Sequence, residues 1–342
     1  MAYQILWFIL WGVLWAIYFM LDGFVMGAGM LHTVLGADDG EKRVLINTIG
    51  PVWEGNEVWL VTAGGVTFAA FPAVYALMFS AMYTALFLLH CALIVRGVSY
   101  EFRSKEESPR WRSLWDRAIM VANFFPALLF GVSFGNIFAG LPIDATGFHG
   151  SLLTLLNPYG LLTGALFVLL FMVHGALYLT VKTTGDLSRR AHVISDRVWP
   201  VLGIVAVAFL IATQYATRLY DNYLATPLLL IIPFLAVASL LGVRVFSAQG
   251  KPLAAFAASS LTILTVVGTG VTGLFPNLIP STNDPTYSLT LVNSSSSLYT
   301  LKIMTVVAAI FVPIVIGYKI WIYRIFRAPV RVEEVLADKH AY

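Results

Sequence analysis

Nine long apolar runs constrain what this chain can fold into more than any other feature of its sequence. Each run reaches the roughly 20 residues that cross a bilayer as an α-helix. The length of the runs, and the lack of alternation with period two, exclude a transmembrane β-barrel. We therefore predict an all-α membrane protein, with residues 1–342 forming a single integral membrane domain. The nine predicted transmembrane helices cover residues 5–31, 50–71, 73–99, 115–140, 157–181, 197–217, 224–246, 252–275 and 299–326.

The composition agrees with a chain that lies in a membrane. Of the 342 residues, 59% are hydrophobic and 11% are charged, and the mean hydropathy is +0.82. Soluble domains carry about 25% charged residues, so an ordinary soluble fold is excluded. Cys91 is the single cysteine, which excludes an intramolecular disulfide and a cysteine-rich metal site. We expect no metal site in this chain and no nucleic-acid partner.

The basic residues indicate how the helices are oriented. All but two of the 21 lysines and arginines, Arg218 and Lys302, fall in the predicted loops 1–2, 3–4, 5–6 and 7–8 or in the C-terminal tail. Arg96 is assigned to loop 3–4 in this count, and Lys339 to the tail. The positive-inside rule therefore places the N-terminus outside and the C-terminus in the cytoplasm. An odd number of helices requires the same separation of the two termini.

Asp22 is the first of three carboxylates that lie in or beside the predicted helices. It belongs to the stretch LDGFVMGAGM (residues 21–30), in the cytoplasmic half of the first helix. A carboxylate at membrane depth is costly unless it is paired, hydrated or protonated, and such residues usually mark ion or proton paths. A structural hydrogen bond to a neighbouring helix is the alternative. The nearby Gly23, Gly27 and Gly29 permit close helix packing and leave room for water beside the acid.

Val25 limits any relay that starts at Asp22. It lies one helical turn closer to the cytoplasm, on the same face of the helix as Asp22. Its side chain cannot carry a proton. If a relay follows this face, water or another helix must supply the next step.

The stretch PVWEGNEVWL (residues 51–60) places Glu54, Asn56 and Glu57 in the first turns of the second predicted helix, at its cytoplasmic end. Because the helix dipole stabilises acids at an N-terminus, Glu54 is also explained as a capping residue. Glu54 and Glu57 share a face of the helix and can line an aqueous opening. Two like charges at this spacing suit a group that takes up and releases protons. Trp59, on the same stretch, is explained as an interfacial aromatic residue.

Two histidines, His90 and His174, are predicted at similar depth in the third and fifth helices. Two facing imidazoles can hold a haem as axial ligands. A structural role, in which each ring bonds to a neighbouring backbone or hydroxyl group, is the alternative that we favour. The remaining histidines are predicted at the inner membrane interface (His32) or in loops and the tail (His149, His192 and His340).

Seven segments, in family order along nearly the whole chain, resemble subunit II of the cytochrome bd-type quinol oxidases. The first two are long and specific, and the last two would be weak alone. The segments are LDGFVMGAGML, INTIGPVWEGNEVWLVTAGG, FRSKEESPRWRSLWD, GVSFGNIFAGLP, LLNPYGLLTG, GLFPNLIPS and SSLYTLKIMT.

The resemblance implies a fold of two four-helix bundles plus one additional helix. It implies a complex in a bacterial cytoplasmic membrane that oxidises quinol and reduces oxygen to water. The partner, subunit I, holds two b-type haems, one d-type haem and the quinol site, so His90 and His174 are not expected as haem ligands. A small single-helix third subunit, membrane lipids and quinone are further expected partners. This chain would support subunit I, contribute to proton uptake and so aid generation of a membrane potential.

The resemblance also bears on individual residues. Asp22 and Gly23 match the family motif Asp-Gly-Phe-Asp, but Val25 replaces its second aspartate, the acid tied to proton uptake. Glu54 stands where the motif Trp-Asp-Gly-Asn has aspartate and keeps the carboxylate. Three further residues match the family: Asn56 and Trp59 agree with it, and Glu57 stands at a position that the family fills with Glu or Gln.

We therefore expect Glu54 to be the proton carrier on the cytoplasmic side, with Asp22, Asn56 and Glu57 on the same pathway. Asp22 and Asn56 would hold water or a helix partner, and Trp59 would lie on an apolar route for oxygen or at an interface. No residue of this chain is expected to be catalytic. Two alternatives are a proton-coupled secondary transporter and a purely structural scaffold of the oxidase, which Val25 favours.

Overall fold

The computed structural model describes residues 1–337, and within them the chain is all-α, as predicted. The predicted tail residues Lys339 and His340 lie outside the described residues. Two short antiparallel strand pairs and three 3₁₀ turns are the other regular structure in this part of the chain. The α-helices are α1 (Ala2–Leu35), α2 (Asp39–Ile49), α3 (Trp53–Ala70), α4 (Pro72–Ala81), α5 (Tyr83–Phe102), α6 (Pro109–Ala139), α7 (Leu152–Leu155), α8 (Pro158–Lys182), α9 (Gly185–Ala216), α10 (Leu219–Ala225), α11 (Ile231–Ala248), α12 (Pro252–Leu274), α13 (Leu298–Ile325) and α14 (Val332–Ala337).

Within the described residues, eight helical segments are long and apolar enough to cross a membrane: α1, α5, α6, α8, α9, α11, α12 and α13. The predicted run 50–71 forms α3, which has only 18 residues. Its first turns contain Glu54, Asn56 and Glu57, and these polar side chains lower its hydropathy below that of the other eight. Eight of the nine predicted transmembrane helices therefore correspond to apolar segments of membrane length within the described residues, and α3 is the exception.

The predicted run 73–99 is divided into two helices. α4 ends at Ala81 and α5 begins at Tyr83, with the backbone of Met82 leaving helical geometry at φ −105° and ψ 19°. Neither glycine nor proline stands at the break, so the sequence does not mark it. The predicted run 224–246 is also shorter as an α-helix, because α11 begins at Ile231 after a 3₁₀ turn.

α1 is the central helix, and it packs against α3, α6, α8 and α12. Its closest approach is to α8, where a Cβ added at Gly27 would lie 1.8 Å from the carbonyl oxygen of Phe171. A Cβ added at Gly175 would likewise meet the α1 backbone at 2.4 Å. Small residues let two membrane helices approach closely at such a crossing. Aromatic rings fill the core beside it: Phe19, Phe130, Phe134, Phe167 and Phe171 contact one another mostly edge to face.

One end of the molecule, which we call the basic end, holds the C-termini of α1, α5 and α8 and the N-termini of α6 and α9. Ion pairs tie its loops together, among them Arg103 with Asp39 and Arg190 with Glu41. Lys182 donates hydrogen bonds to the carbonyl oxygens of Phe326 and Ala328, which fixes the chain beyond α13. Basic residues of the predicted loops 1–2, 3–4 and 5–6 thus lie at the same end of the molecule.

The opposite end is closed by the strand pairs, β1 (Ile143–Asp144) with β2 (Gly147–Phe148) and β3 (Asn277–Ile279) with β4 (Leu289–Thr290). The two pairs are joined, since the Ser281 hydroxyl donates to the carbonyl oxygen of Ile143 at 2.7 Å. This end carries short polar loops and, within the described residues, no separate folded domain.

Candidate functional site

Asp22 is fully buried, and an arginine neutralises it. Arg96 of α5, also fully buried, donates from Nη1 to Asp22 Oδ2 at 2.9 Å. The Tyr18 hydroxyl, one turn earlier on α1, donates to the same oxygen at 3.1 Å. An isolated buried charge is very costly, so this pairing explains how the carboxylate is tolerated between membrane-length helices.

Arg96 also joins the second acidic stretch to Asp22. Its Nη2 donates to Glu57 Oε1 on α3, whose side chain is 27% exposed. The guanidinium therefore bridges one buried and one partly exposed carboxylate, a geometry that suits its planar set of donors. We call Tyr18, Asp22, Glu57 and Arg96 the Asp22 cluster.

Arg96 is the member of this cluster whose position differs from the sequence-based prediction. It was assigned to loop 3–4, but it lies inside α5 and faces α1. An arginine within the predicted run 73–99 was a signal that could have found it, because an intramembrane cation is as costly as an intramembrane acid and needs a partner. Its interaction with Asp22 spans 74 residues of sequence, and no local spacing reveals it.

Asn56 connects α3 to two other helices. Its Nδ2 donates to the carbonyl oxygen of Leu21 on α1 at 2.7 Å. Its Oδ1 accepts hydrogen bonds from Lys319 Nζ at 3.1 Å and from the Tyr323 hydroxyl at 3.0 Å, both on α13. Asn56 therefore joins α3 to α1 and α13, and it holds Lys319 on the side of α3 that faces α13.

Glu54 is exposed and does not join the buried cluster. It lies at the wall of an open groove of about 910 Å³ between α3, α4 and α5, which we call the Glu54 groove. Residues that line this groove include Glu54, Glu57, Gly64, Gly65, His90 and Gly97. Glu54 and Glu57 thus share one groove, and Glu57 connects it to the Asp22 cluster through Arg96.

Three buried polar atoms around the cluster have no hydrogen-bond partner among the described residues. They are Asp22 Oδ1, Arg96 Nε and the indole nitrogen of Trp59. A buried polar atom without a partner is rare in folded proteins and calls for an explanation such as a bound water or a functional group. Asp22 Oδ1 matters most, because it is the free oxygen of a carboxylate that can accept a proton.

The glycines near Asp22 do not leave the room for water that the sequence predicts. A Cβ added at Gly23 would lie 2.7 Å from the Phe171 ring, and one at Gly29 would lie 2.2 Å from Asn123. Neighbouring helices therefore fill the space that we expected water to occupy on these faces. Val25 is fully buried within an apolar cluster, so the polar path does not continue along this face of α1.

The two deep histidines have separate environments. His174 is fully buried, with Nδ1 at 2.6 Å from Ser259 Oγ and Nε2 at 3.0 Å from the carbonyl oxygen of Met20. His90 is exposed in the Glu54 groove, and its Nδ1 lies 2.7 Å from the carbonyl oxygen of Leu86. Both ring nitrogens of His174 are engaged by protein atoms, so this ring does not fit a haem iron. Residues 1–337 contain no group of three His, Cys, Asp or Glu side chains placed to hold a metal ion.

A second ionic cluster lies at the basic end, and we call it the Asp116 cluster. Asp116 Oδ1 accepts from Arg103 Nε at 2.6 Å and lies 2.7 Å from His32 Nε2. Its Oδ2 accepts from Lys42 Nζ at 3.0 Å. Both oxygens of this carboxylate are occupied, and the contacts join α1, α2, α6 and the 3₁₀ turn that follows α5. The sequence predicts His32 at the inner membrane interface but does not indicate its partner.

Comparison with known proteins gives one consistent result. Residues 3–326 match the family described as cytochrome bd terminal oxidase subunit II. The cytochrome bd ubiquinol oxidase subunit 2 of Bacillus subtilis is 37% identical over 96% of this chain and 97% of its own length. The cytochrome bd-I ubiquinol oxidase subunit 2 of Escherichia coli K12 is 36% identical over 99% of this chain and 98% of its own.

The fold is also similar to a solved structure. A chain in the structure of bd oxidase from Geobacillus thermodenitrificans superposes with a TM-score of 0.77, covering 95% of this chain and 99% of that one. The two sequences are 17% identical, so this likeness concerns the fold alone.

Proposed function

The chain belongs to the cytochrome bd terminal oxidase subunit II family, and on this premise we propose that its acidic residues deliver protons to oxygen reduction in a partner subunit. The chain is a subunit of an oxygen-reducing quinol oxidase complex in a bacterial membrane. Its family membership favours this function over a proton-coupled secondary transporter.

A haem-bearing subunit I is the partner that we propose. The haems, two b-type and one d-type, supply the electron transfer and oxygen chemistry when bound in that partner, and quinol is oxidised there. The engagement of both His174 nitrogens by protein atoms supports a division of labour in which this chain binds no haem. We place a small third subunit, lipids and quinone among the further partners, since most of α13 is apolar and exposed.

We propose that the chain crosses the membrane nine times, with the N-terminus outside, the C-terminus in the cytoplasm and the helices in two four-helix bundles plus one. The gathering of basic loops at one end supports this orientation, because cytoplasmic loops carry the excess of Lys and Arg. The contact of α3 with the central helix α1 supports counting it as a ninth span. Labelling of a single cysteine introduced at Thr146 or at Arg189, with Cys91 replaced by serine, from opposite sides of the membrane tests the orientation.

The proton pathway that we propose begins at Glu54 and ends at the Asp22 cluster. Glu54 is exposed at the groove wall and can exchange protons with water. Glu57 lies on the same face of α3 and contacts Arg96, which contacts Asp22. The observation that carries the proposal is Asp22 Oδ1, a buried carboxylate oxygen without a partner among residues 1–337. Intramembrane carboxylates in such settings act as proton relays.

The roles in this pathway follow from the chemistry of each group. Glu54 and Asp22 bind and release protons, whereas Arg96 stays protonated and fixes the carboxylates by charge. Asn56 positions α3 against α1 and α13 and carries no proton. Trp59, buried beside the cluster, limits water on that side and remains our candidate for an apolar oxygen route.

Substitution of Glu54 in the complex assembled with subunit I tests the proposal. We expect Glu54→Ala and Glu54→Gln to lower quinol-dependent oxygen consumption by about tenfold or more, since proton transfer by a positioned side chain contributes at least that much. Glu54→Asp restores the carboxylate and should recover most of the rate. The haem spectrum should remain intact in all three.

Glu107→Gln provides the matched control, because this glutamate is exposed in a loop at the basic end, away from the groove. It should leave turnover unchanged. Full turnover in both Glu54→Gln and Asp22→Asn would overturn the proton pathway. The chain would then be a structural scaffold of the oxidase, the function that the buried Val25 favours.

A further inference from the structure

Lys319 of α13 lies beside the Asp22 cluster without belonging to the proposed path from Glu54. It is half-buried on a helix whose other residues are mostly exposed and apolar. Its hydrogen bond within the described residues goes to Asn56 Oδ1, an uncharged acceptor, at 3.1 Å. An ammonium group on a membrane-length helix is costly and marks a functional position more often than a structural one.

The space for this amine is created by the glycine next to Glu54. A Cβ added at Gly55 would lie 2.6 Å from Lys319 Nζ and 3.6 Å from its Cε. Any side chain at position 55 would therefore displace the amine from Asn56. A Cβ added at Gly64 or Gly65, further along the same helix, would have no atom within 4 Å. Of these three glycines, Gly55 is therefore the one at which a side chain would collide with Lys319.

Lys319 lines a groove on the side of α3 that faces away from the Glu54 groove. The groove has a volume of about 550 Å³ and runs between α1 and α13, and we call it the α1–α13 groove. Met20, Leu21 and Trp59 form one wall, and Lys319, Tyr323 and Arg327 form the other. It extends from the level of Asp22 towards Arg327, beyond the end of α13, and so reaches the basic end of the molecule.

From this geometry we propose that Lys319 carries protons from the α1–α13 groove to Asp22, forming a second access route to the cluster. The ammonium gives a proton from Nζ to Asp22 Oδ1 through water in the groove: an N–H bond breaks, an O–H bond forms, and the neutral amine is reprotonated from the basic end. Lysine can alternate between these two states, whereas the guanidinium of Arg96 cannot. This proposal rests on the role of Asp22 in the proposed function.

The route explains how Asp22 receives protons although Val25 interrupts its own helix face. The next polar group after Asp22 comes from a different helix, and Asn56 holds that helix in place. The charges around the cluster are balanced by this arrangement, since Asp22 and Glu57 face Arg96 and Lys319. The Asp22 carboxylate attracts the Lys319 ammonium, and this attraction holds the amine beside the cluster.

Two substitutions of Lys319 separate proton transfer from charge. Lys319→Met removes both the amine and its charge, whereas Lys319→Arg keeps a permanent positive charge that cannot release a proton. In the complex assembled with subunit I, we expect both variants to lower oxygen consumption by about tenfold. The solvent deuterium isotope effect on turnover should increase in both, and the haem spectrum should not change.

Gly55→Ala tests the position of the amine without altering it chemically. We expect a turnover that is reduced about threefold, because the added Cβ moves Lys319 away from Asn56. Gly203→Ala, on α9 with open space around it and outside both grooves, is the control and should keep the full rate.

The outcomes distinguish the two proposals. Full turnover in Lys319→Arg, together with slow turnover in Asp22→Asn, would overturn the Lys319 route and leave the proposed function standing. Full turnover in Asp22→Asn and Glu54→Gln would overturn the proposed function and the Lys319 route together. If Lys319→Met is slow but Lys319→Arg keeps the full rate, only the positive charge at position 319 is needed. This result also rejects Lys319 as a proton carrier.

Discussion

The Asp22 and Asp116 clusters are built from the same groups but differ in how completely they are satisfied. In each, a carboxylate that is at most 3% exposed is paired with an arginine, which is Arg96 of α5 in one cluster and Arg103, directly after α5, in the other. Both oxygens of Asp116 are engaged, by His32, Arg103 and Lys42. The hydrogen bonds to Asp22, from Tyr18 and Arg96, both go to its Oδ2, and its Oδ1 has no partner among the described residues.

The difference separates a structural from a functional use of buried charge. A fully satisfied carboxylate has no position left for a proton and joins helices together. A carboxylate with one free oxygen is less stable where it stands, but it can accept and release a proton. We therefore expect equivalent substitutions to have different effects in the two clusters. Substitution of Asp116 should lower the stability of the complex, whereas substitution of Asp22 should lower its turnover.

Removal of the Asp116 carboxylate should have the largest effect on stability. Asp116→Ala leaves Arg103 and His32 buried beside each other without their acid, and breaking a buried ion pair in this way costs about 3–5 kcal/mol. We expect a lower melting temperature of the purified complex, or loss of assembly, measured at one fixed heating rate by fluorescence-detected size exclusion. Asp186→Ala removes an exposed carboxylate paired with Arg189 and should leave the melting temperature unchanged. Equal stability of the two variants would contradict the structural role of Asp116.

Substitution of each aspartate by asparagine compares the clusters directly. Asp22→Asn keeps the shape of the side chain but removes the acid, so we expect turnover to fall by about tenfold or more while the complex assembles. Asp116→Asn should lower the melting temperature and keep the turnover per assembled complex. Oxygen consumption normalised to haem content measures both. The reverse pattern, with turnover lost in Asp116→Asn and kept in Asp22→Asn, would reject the division between the clusters.

A hydrogen-bonded pair between the clusters tests whether they are independent. The Tyr100 hydroxyl donates to Asn123 Oδ1 at 3.1 Å, one helical turn from Arg96 and one from Arg103. Tyr100→Phe removes the hydroxyl and leaves the Asn123 oxygen buried without its donor, which costs about 1–3 kcal/mol. We expect a modest fall in melting temperature and unchanged turnover. Tyr299→Phe, at an exposed tyrosine, should alter neither. A clear loss of turnover in Tyr100→Phe would mean that the two clusters form one continuous proton path.

The sequence predicted the helices well because their cause is local. A run of about 20 apolar residues has few alternatives to a membrane helix, and most of the predicted runs coincide with long helices. The break at Met82 was not predictable, since no glycine or proline marks it. The amphipathic α2 was also missed, because a polar segment of this length is not distinguished from a loop by its hydropathy.

The candidate site was predicted only in part, because its pairings are not local. Asp22, Asn56 and Glu57 stood out as polar residues in apolar surroundings, and the structure brings them together. Arg96 was counted as a loop residue, although its cost inside a helix requires a buried acid. Lys319 is separated from its partner Asn56 by 263 residues, and only the packing of α13 against α3 joins them.

The smallest predicted effect concerns Asp144, an exposed carboxylate in the loop between β1 and β2. Its Oδ1 has three partners, the backbone amide and hydroxyl of Thr146 and the ring of His149, as many as Asp116 has. These contacts lower the pKa of Asp144 from 3.8 to about 2, with the Thr146 hydroxyl as the main cause. Because the folded pKa is depressed, the stabilising contribution is present above pH 3.8 and is lost as the pH falls through about 2.

Cleavage of this loop by pepsin measures the effect, since the protease is active over the same range. The ratio of the Asp144→Ala cleavage rate to the wild-type rate cancels the pH dependence of pepsin itself. We expect this ratio to exceed one at about pH 4 and to approach one near pH 2, with the melting temperature of the complex unchanged at neutral pH. A ratio that stays constant would contradict the lowered pKa. Asp144 and Asp116 have the same number of partners and differ in burial, so a large loss in Asp116→Ala beside a small one here would show that burial determines the cost of removing a paired carboxylate.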